Sequence, residues 1–165
     1  MTVTRQESLE KISELIKGIK VAMLTTVNAE GDFHSRPMYT QENEFDGDVW
    51  FFSEKSSSKV TDIERNPRAN ASYAKGSSYV SLAGNALIVT DVAKKQALWN
   101  EALKVWFKNG PTDPNVVLIK ISSISAEYWD ENAPGGLLGT VISYATALIT
   151  GNPDAVGVNE TVQLK

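Results

Sequence analysis

The residues best suited to chemistry lie in one short run, FFSEKSSSK, from Phe51 to Lys59. A strand-like pattern ends at Ser53, a polar serine-rich loop follows, and a helical pattern opens near Ser58 and Lys59. A helix N-terminus presents free backbone N–H groups and a partial positive charge, so it attracts anions. Ser53, Ser57 and Ser58 add hydroxyl donors, and Lys59 adds a full positive charge. The set suits a phosphate. It also fits a plainer account, in which Ser57 only caps the helix and Lys59 is only a solvated charge.

A second group is Ser35-Arg36-Pro37-Met38-Tyr39. Arginine offers a planar donor fork that matches a phosphate or the polar edge of a ring. Pro37 lacks an N–H, so its strand is expected at a sheet edge or at a bulge. Such an edge exposes backbone groups that can hydrogen-bond a flat heterocycle. Arg36 fits equally well as a plain surface arginine beside that edge. His34 alternates with Arg36 and shares its face. It is the only histidine in the chain, and it reads as a satisfied or exposed polar residue rather than a catalytic one.

Aromatic residues form the third group. Trp50, Phe51 and Phe52 adjoin the serine-rich loop, Trp106 and Phe107 precede a Gly-Pro loop, and Tyr128-Trp129 close a long strand pattern. Most such residues belong to cores. Trp129 is the exception, because the strand end puts it at a rim where it can pack on a ring. Trp50, Trp99 and Trp106 read as packing residues.

Composition narrows the remaining options. The 165 residues include no cysteine and one histidine. Disulfides, zinc–thiolate sites, iron–sulfur ligation, a cysteine nucleophile and multi-histidine metal sites are therefore excluded. Chemistry in such a chain is most naturally borrowed from a cofactor. The net charge is −4, which weighs against nucleic acid as a partner. The longest apolar stretch, Leu137 to Ile149, is interrupted by Gly139, Thr140, Ser143, Tyr144 and Thr146. It is too short and too polar to span a bilayer. The N-terminus has no apolar leader core, so no membrane association and a cytoplasmic location are expected.

The elements that must position these groups follow from periodicity. Thr4 and Glu7 form a capping box, and Leu9, Ile12, Leu15, Ile16 and Ile19 recur at helical spacing until Gly18 stops the helix. Strands are predicted over 21–27, 32–40 and 47–53, with a short helix over 58–66 that turns Val60 and Ile63 inward. Two strands joined at Lys75-Gly76-Ser77 follow. Gly84, inside the second, marks a bulge or a barrel corner. A helix is predicted over 92–107, a long strand over 116–130, and a Gly-rich break, a helix and a final strand after Asn132. Six or seven sequence-near strands with helices at the ends predict one antiparallel α+β barrel domain over residues 1–165.

The order of these segments resembles the pyridoxamine 5′-phosphate oxidase-like superfamily, and within it the general-stress-protein branch. The resemblance rests on RPMY, VWFFSEKSSSK with its helix and NPRA, SYVSLAGNALIV and AEYWD. It implies a six-stranded antiparallel split β-barrel of the FMN-binding type. It also implies a homodimer with two FMN molecules in the interface, each contacted by both chains. Arg36 then matches the arginine that contacts flavin and phosphate, and Pro37, Met38 and Tyr39 match the strand lining the isoalloxazine ring. Phe52 and Ser53 match an aromatic–hydroxyl pair beside the phosphate. Ser57, Ser58 and Lys59 match the phosphate clamp, with Ser58 replacing an arginine. Tyr79 and Ser81 lie in a strand with further ring contacts, and Trp129 matches a tryptophan that approaches the flavin from the partner chain. The implied activity is an FMN-dependent oxidoreductase of the general-stress type acting with a small-molecule redox partner. Alternatives are a non-catalytic flavin-binding stress or sensor module and a deazaflavin-dependent reductase. The oxidase itself carries a basic Arg/His motif after its tryptophan, whereas this chain reads DENAPGGLLGT. Pyridoxamine phosphate oxidation is therefore not expected.

Overall fold

Apolar spacing in the first segment buries Leu9 and Ile12 on one face of α1 (Arg5–Ile16), and Leu15, Ile16 and Ile19 pack partly against the same core. The computed structural model describes residues 5–130 and 159–164. After α1 come β1 (Val21–Val27), β2 (Phe33–Tyr39), β3 (Asp48–Glu54), α2 (Ser58–Arg65), β4 (Arg68–Lys75) and β5 (Ser78–Val89). Then follow α3 (Val92–Leu98), a 3₁₀ turn (Glu101–Val105), β6 (Val116–Trp129) and β7 (Asn159–Gln163). Thr4 and the predicted helix after Asn132 lie outside the described residues, while the predicted last strand is β7.

The strands form one antiparallel sheet in the order β2-β1-β4-β5-β6-β3. This path is the expected six-stranded split barrel. The seventh strand, β7, pairs with residues Ser125–Trp129 of β6, beyond the part of β6 that β3 occupies. The two ends of the path, β2 and β3, are consecutive in the chain but form no ladder with each other. The split lies between them. Pro37 therefore sits in an edge strand, where a missing N–H costs no ladder bond.

Alternation sets what faces inward. In β1, Ala22, Leu24 and Thr26 are buried, whereas Val21 and Met23 are exposed on the outer face. Leu24, Ala71, Leu82, Ile119 and Ile121 are fully buried in the barrel interior, and α2 adds Val60 and Ile63 to the buried set. Among the described residues no helix is long and apolar enough to cross a membrane.

One predicted element is divided. The helix expected over 92–107 stops at Leu98, and a separate 3₁₀ turn starts after Asn100. The Asn100 side chain accepts from the Ala102 N–H at 2.9 Å and so starts a new turn. Lys95 holds α3 in place from below. It is buried and donates to the carbonyls of Asp113 (3.0 Å) and Val116 (2.9 Å), which ties the helix to the loop before β6.

Candidate functional site

The serine-rich segment folds as a turn between β3 and α2. The Ser57 N–H donates to the Glu54 carbonyl at 3.1 Å, and the Val60 N–H returns to the Ser57 carbonyl at 3.0 Å. Ser57 is the residue before the helix, but its hydroxyl caps nothing. It instead meets the Ser53 hydroxyl at 3.0 Å, and Lys59 Nζ donates to that same hydroxyl at 3.3 Å. Ser58, the first helical residue, is exposed. The structure thus gathers Ser53, Ser57, Ser58 and Lys59 at a helix start that no side chain caps, leaving its first N–H groups for another acceptor. The expectation that Ser57 serves only as a cap is set aside by the direction of its hydroxyl.

Arg36 approaches the same helix from β2. It lies opposite Leu24 on the inner face. Its Nη1 donates to Thr26 Oγ1 at 2.7 Å and to the Leu24 carbonyl at 3.3 Å. Thr26 in turn donates to Asp62 Oδ2 of α2 at 3.4 Å. Burial lowers the pKa of Arg36, and the charge of Asp62 partly opposes this. The Lys59 ammonium is pushed below its ordinary value first by burial and then by the charge of Arg36, with Glu54 opposing. Two half-buried cations therefore repel one another here, and among the described residues neither forms a salt bridge. An anion near Lys59 would favour both charged forms.

Ser57 and Lys59 of this cluster open into a cavity of about 430 Å³ along the split, whereas Arg36, Ser53 and Ser58 do not line it. Pro37, Met38 and Tyr39 of β2 form one side, and Phe52, Ser57 and Lys59 line the other. Leu103, Trp106 and Phe107, from the 3₁₀ turn and its exit, close the far end. Phe52 stands edge-on to Trp99 (5.4 Å, 86°), and Tyr39 lies against Trp106 (5.7 Å, 40°). Such tilted aromatic contacts fix ring orientations. Trp106 is nonetheless 55% exposed, so much of its ring faces the opening. Its placement beside the split corrects its reading as a packing residue. Its sequence signal, an aromatic pair before a Gly-Pro loop, looks the same in a core helix.

Tyr79, Ser81 and Trp129 form a second group. They face the opposite, outer side of the sheet, where Tyr79 pairs across strands with Trp129. They border a shallow hollow of about 290 Å³ together with Met23 and Ser72. Ser81 accepts from Asn70 Nδ2 at 2.7 Å, and Ser72 donates to Asn70 Oδ1 at 2.7 Å. Within one chain this group does not share the cavity of Lys59; Val21 alone borders both. His34 is exposed on the face of Arg36, two residues along β2.

Residues 7–154 match the protein family described as pyridoxamine 5′-phosphate oxidase like. The chain is 28% identical over 166 residues to Protein bli-3 of Neurospora crassa, covering 93% of this chain and 78% of that one. The solved General Stress Protein 26 of Bacillus anthracis is 33% identical and superposes with a TM-score of 0.66, over 73% of this chain and 92% of that one. A pyridoxamine 5′-phosphate oxidase-related, FMN-binding protein of Nostoc punctiforme shares the fold at 16% identity, with a TM-score of 0.58 over 74% and 80% of the two chains.

Proposed function

From the pyridoxamine 5′-phosphate oxidase-like family, to which this chain belongs, we infer that it binds FMN in the split and serves as a flavin-dependent oxidoreductase of the general-stress type. The observation that carries the reading is the pair of mutually repelling, half-buried cations, Arg36 and Lys59, beside an uncapped helix start. A phosphate fits that charge and those donors. Lys59, Ser53, Ser57 and Ser58 would hold it, with Arg36 behind them. The free edge of β2 at Pro37–Tyr39 offers backbone groups to a flat ring, and Phe52 and Trp106 offer apolar faces. FMN, when bound, supplies hydride or electron transfer. The chain's part is to hold the phosphate, orient the ring and keep water from its faces.

The site is proposed as shared between two copies. Val21, Met23 and Tyr79 are exposed apolar residues on one outer face that ends at Trp129. Their neighbours Thr25, Ser35, Asn70, Ser72 and Ser81 are uncharged, and the Thr25 and Ser35 hydroxyls already meet at 2.7 Å. Such a face suits self-association. A second copy's Trp129 would then reach the flavin that the first copy holds. Oxidation of pyridoxamine phosphate is not proposed, because no Arg or His follows Trp129 through Thr140.

Titration of the purified chain with FMN tests the reading. A visible flavin band that co-elutes with protein, quenched flavin fluorescence and a sedimenting dimer are the expected results. Absence of binding would sink it, and a monomer with tightly bound FMN would sink the shared site. Reduction of the bound flavin by NADH or NADPH separates an oxidoreductase from a sensor, and titration with a deazaflavin separates the sister chemistry.

The affinity should also depend on pH in a defined sense. It rises as pH passes about 6, where a phosphate monoester takes its second negative charge. It falls again on the alkaline side, because the bound anion favours protonated Lys59 and deprotonation then opposes binding. Burial and Arg36 place that fall below the ordinary lysine value. An affinity unchanged up to about pH 10.5, the ordinary lysine range, would remove Lys59 from phosphate contact.

A further inference from the structure

We propose that Glu54 is a further binding residue of the split, accepting a hydrogen bond from a hydroxyl of the polyol chain that joins a flavin ring to its phosphate. The inference deepens the FMN reading and rests on it. Of the residues that line the split, two carry a charge, Lys59 and Glu54. Lys59 and Ser57 are donors there, and the uncapped helix start adds backbone N–H groups. Glu54 brings the one carboxylate of that lining.

Its place along the chain sets what it can meet. Glu54 is the last residue of β3, and alternation puts it on the face of Phe52, which lines the same cavity. Two residues of strand span roughly 7 Å. The turn that follows leads to Ser57 and Lys59. Glu54 therefore stands beyond the aromatic wall and before the phosphate cluster, where a chain linking ring to phosphate must pass. The hydroxyls of such a chain are donors, and an ionised carboxylate is a strong acceptor for them.

The carboxylate has no other task among the described residues. Glu54 is exposed, forms no salt bridge, and accepts from Ser53 and Ser57 only through its backbone carbonyl. Lys59 directs its Nζ to Ser53 Oγ instead. The charge of Glu54 nonetheless reaches Lys59, where it opposes the lowering by burial and Arg36. A bare carboxylate this near an anion's seat repels the phosphate. A ligand hydroxyl that donates to it offsets that repulsion, and a ligand without one meets the repulsion in full.

The test compares FMN with a flavin pentyl phosphate, which has the same ring, chain length and phosphate but no chain hydroxyls. Both are titrated by fluorescence into the parent chain, Glu54→Gln and Glu54→Met. The quantity read is the preference for FMN over the hydroxyl-free flavin. Repulsion between residue 54 and the phosphate acts on both ligands and cancels in this ratio. The preference should fall about tenfold in Glu54→Met, the low end for a hydrogen bond to a charged group. It should fall less in Glu54→Gln, whose amide oxygen still accepts. All three chains should melt together, because the side chain makes no bond that serves the fold. A preference in Glu54→Met within twofold of the parent's overturns the assignment. So does a loss in Glu54→Gln as large as that in Glu54→Met, which would leave charge rather than an acceptor at work. If neither flavin phosphate binds the parent chain, the FMN reading falls and this one with it. If both bind and the preference does not move, Glu54 alone is excluded.

Discussion

Gly84→Ala should cost about 4 kcal/mol of stability, a loss typical of the most damaging core substitutions. A Cβ at this position would lie 2.1 Å from the Ser122 carbonyl oxygen, 2.8 Å from its carbon and 2.9 Å from Ser123 Cα. All three are backbone atoms of β6, so no side chain can swing aside. The cause is a bulge: Ala83 pairs with Ser125 while Gly84 pairs with Ser123, which leaves Ile124 as the extra residue. β6 cannot easily retreat either. The Ser123 N–H is held by the Gly47 carbonyl at 2.8 Å, and the Ile124 carbonyl accepts from Leu164 at 2.7 Å. The bulge therefore sits where β6 changes its outer partner from β3 to β7. Urea unfolding and thermal melting check the prediction. A Tm within a degree or two of the parent would show that β6 can shift at no cost.

The position of Gly84 was readable because a glycine inside an otherwise apolar strand has few reasons to be there. Pro37 was readable for a related cause, since a residue without an N–H has few places in a sheet and an edge strand is one. The break at Asn100 was not. Its flanks, Ala97-Leu98 and Ala102-Leu103, keep a helical spacing, and only the capping bond to Ala102 shows that the turn restarts. The phosphate-like cluster was legible because its members are neighbours in sequence around one loop. Trp106 was not, since nothing local ties it to Tyr39, and the contact exists only because the barrel is split between β2 and β3. The separation of Tyr79, Ser81 and Trp129 from Lys59 also comes from strand order, which pairs β5 with β6 and leaves β2 at the far edge.

Lys59→Met combined with Arg36→Met should weaken FMN binding by more than the single Lys59 change and by at most about 1,000-fold, the sum of about 2 kcal/mol for each charge, because two groups that repel one another do not act independently. The single Lys59→Met change should cost about 30-fold on the same scale. Its effect on the free protein runs the other way. Burial and Arg36 hold the Lys59 pKa below its ordinary value, so the fold disfavours the protonated form. That cost is present at neutral pH, where the amine is charged, and disappears at alkaline pH as it deprotonates. Methionine keeps the stem and removes the charge, so the unliganded protein should melt at the same temperature or slightly higher. Arg36→Met behaves differently, because its guanidinium also serves Thr26 and, through it, Asp62. That single variant should lose stability as well as affinity. The opposed movement in Lys59→Met, affinity down with apoprotein stability held or raised, is what separates a charge kept for an anion from one kept for the fold. Fluorescence titration with FMN and melting with and without the flavin read both quantities. A double variant that binds within threefold of the parent would place the phosphate elsewhere.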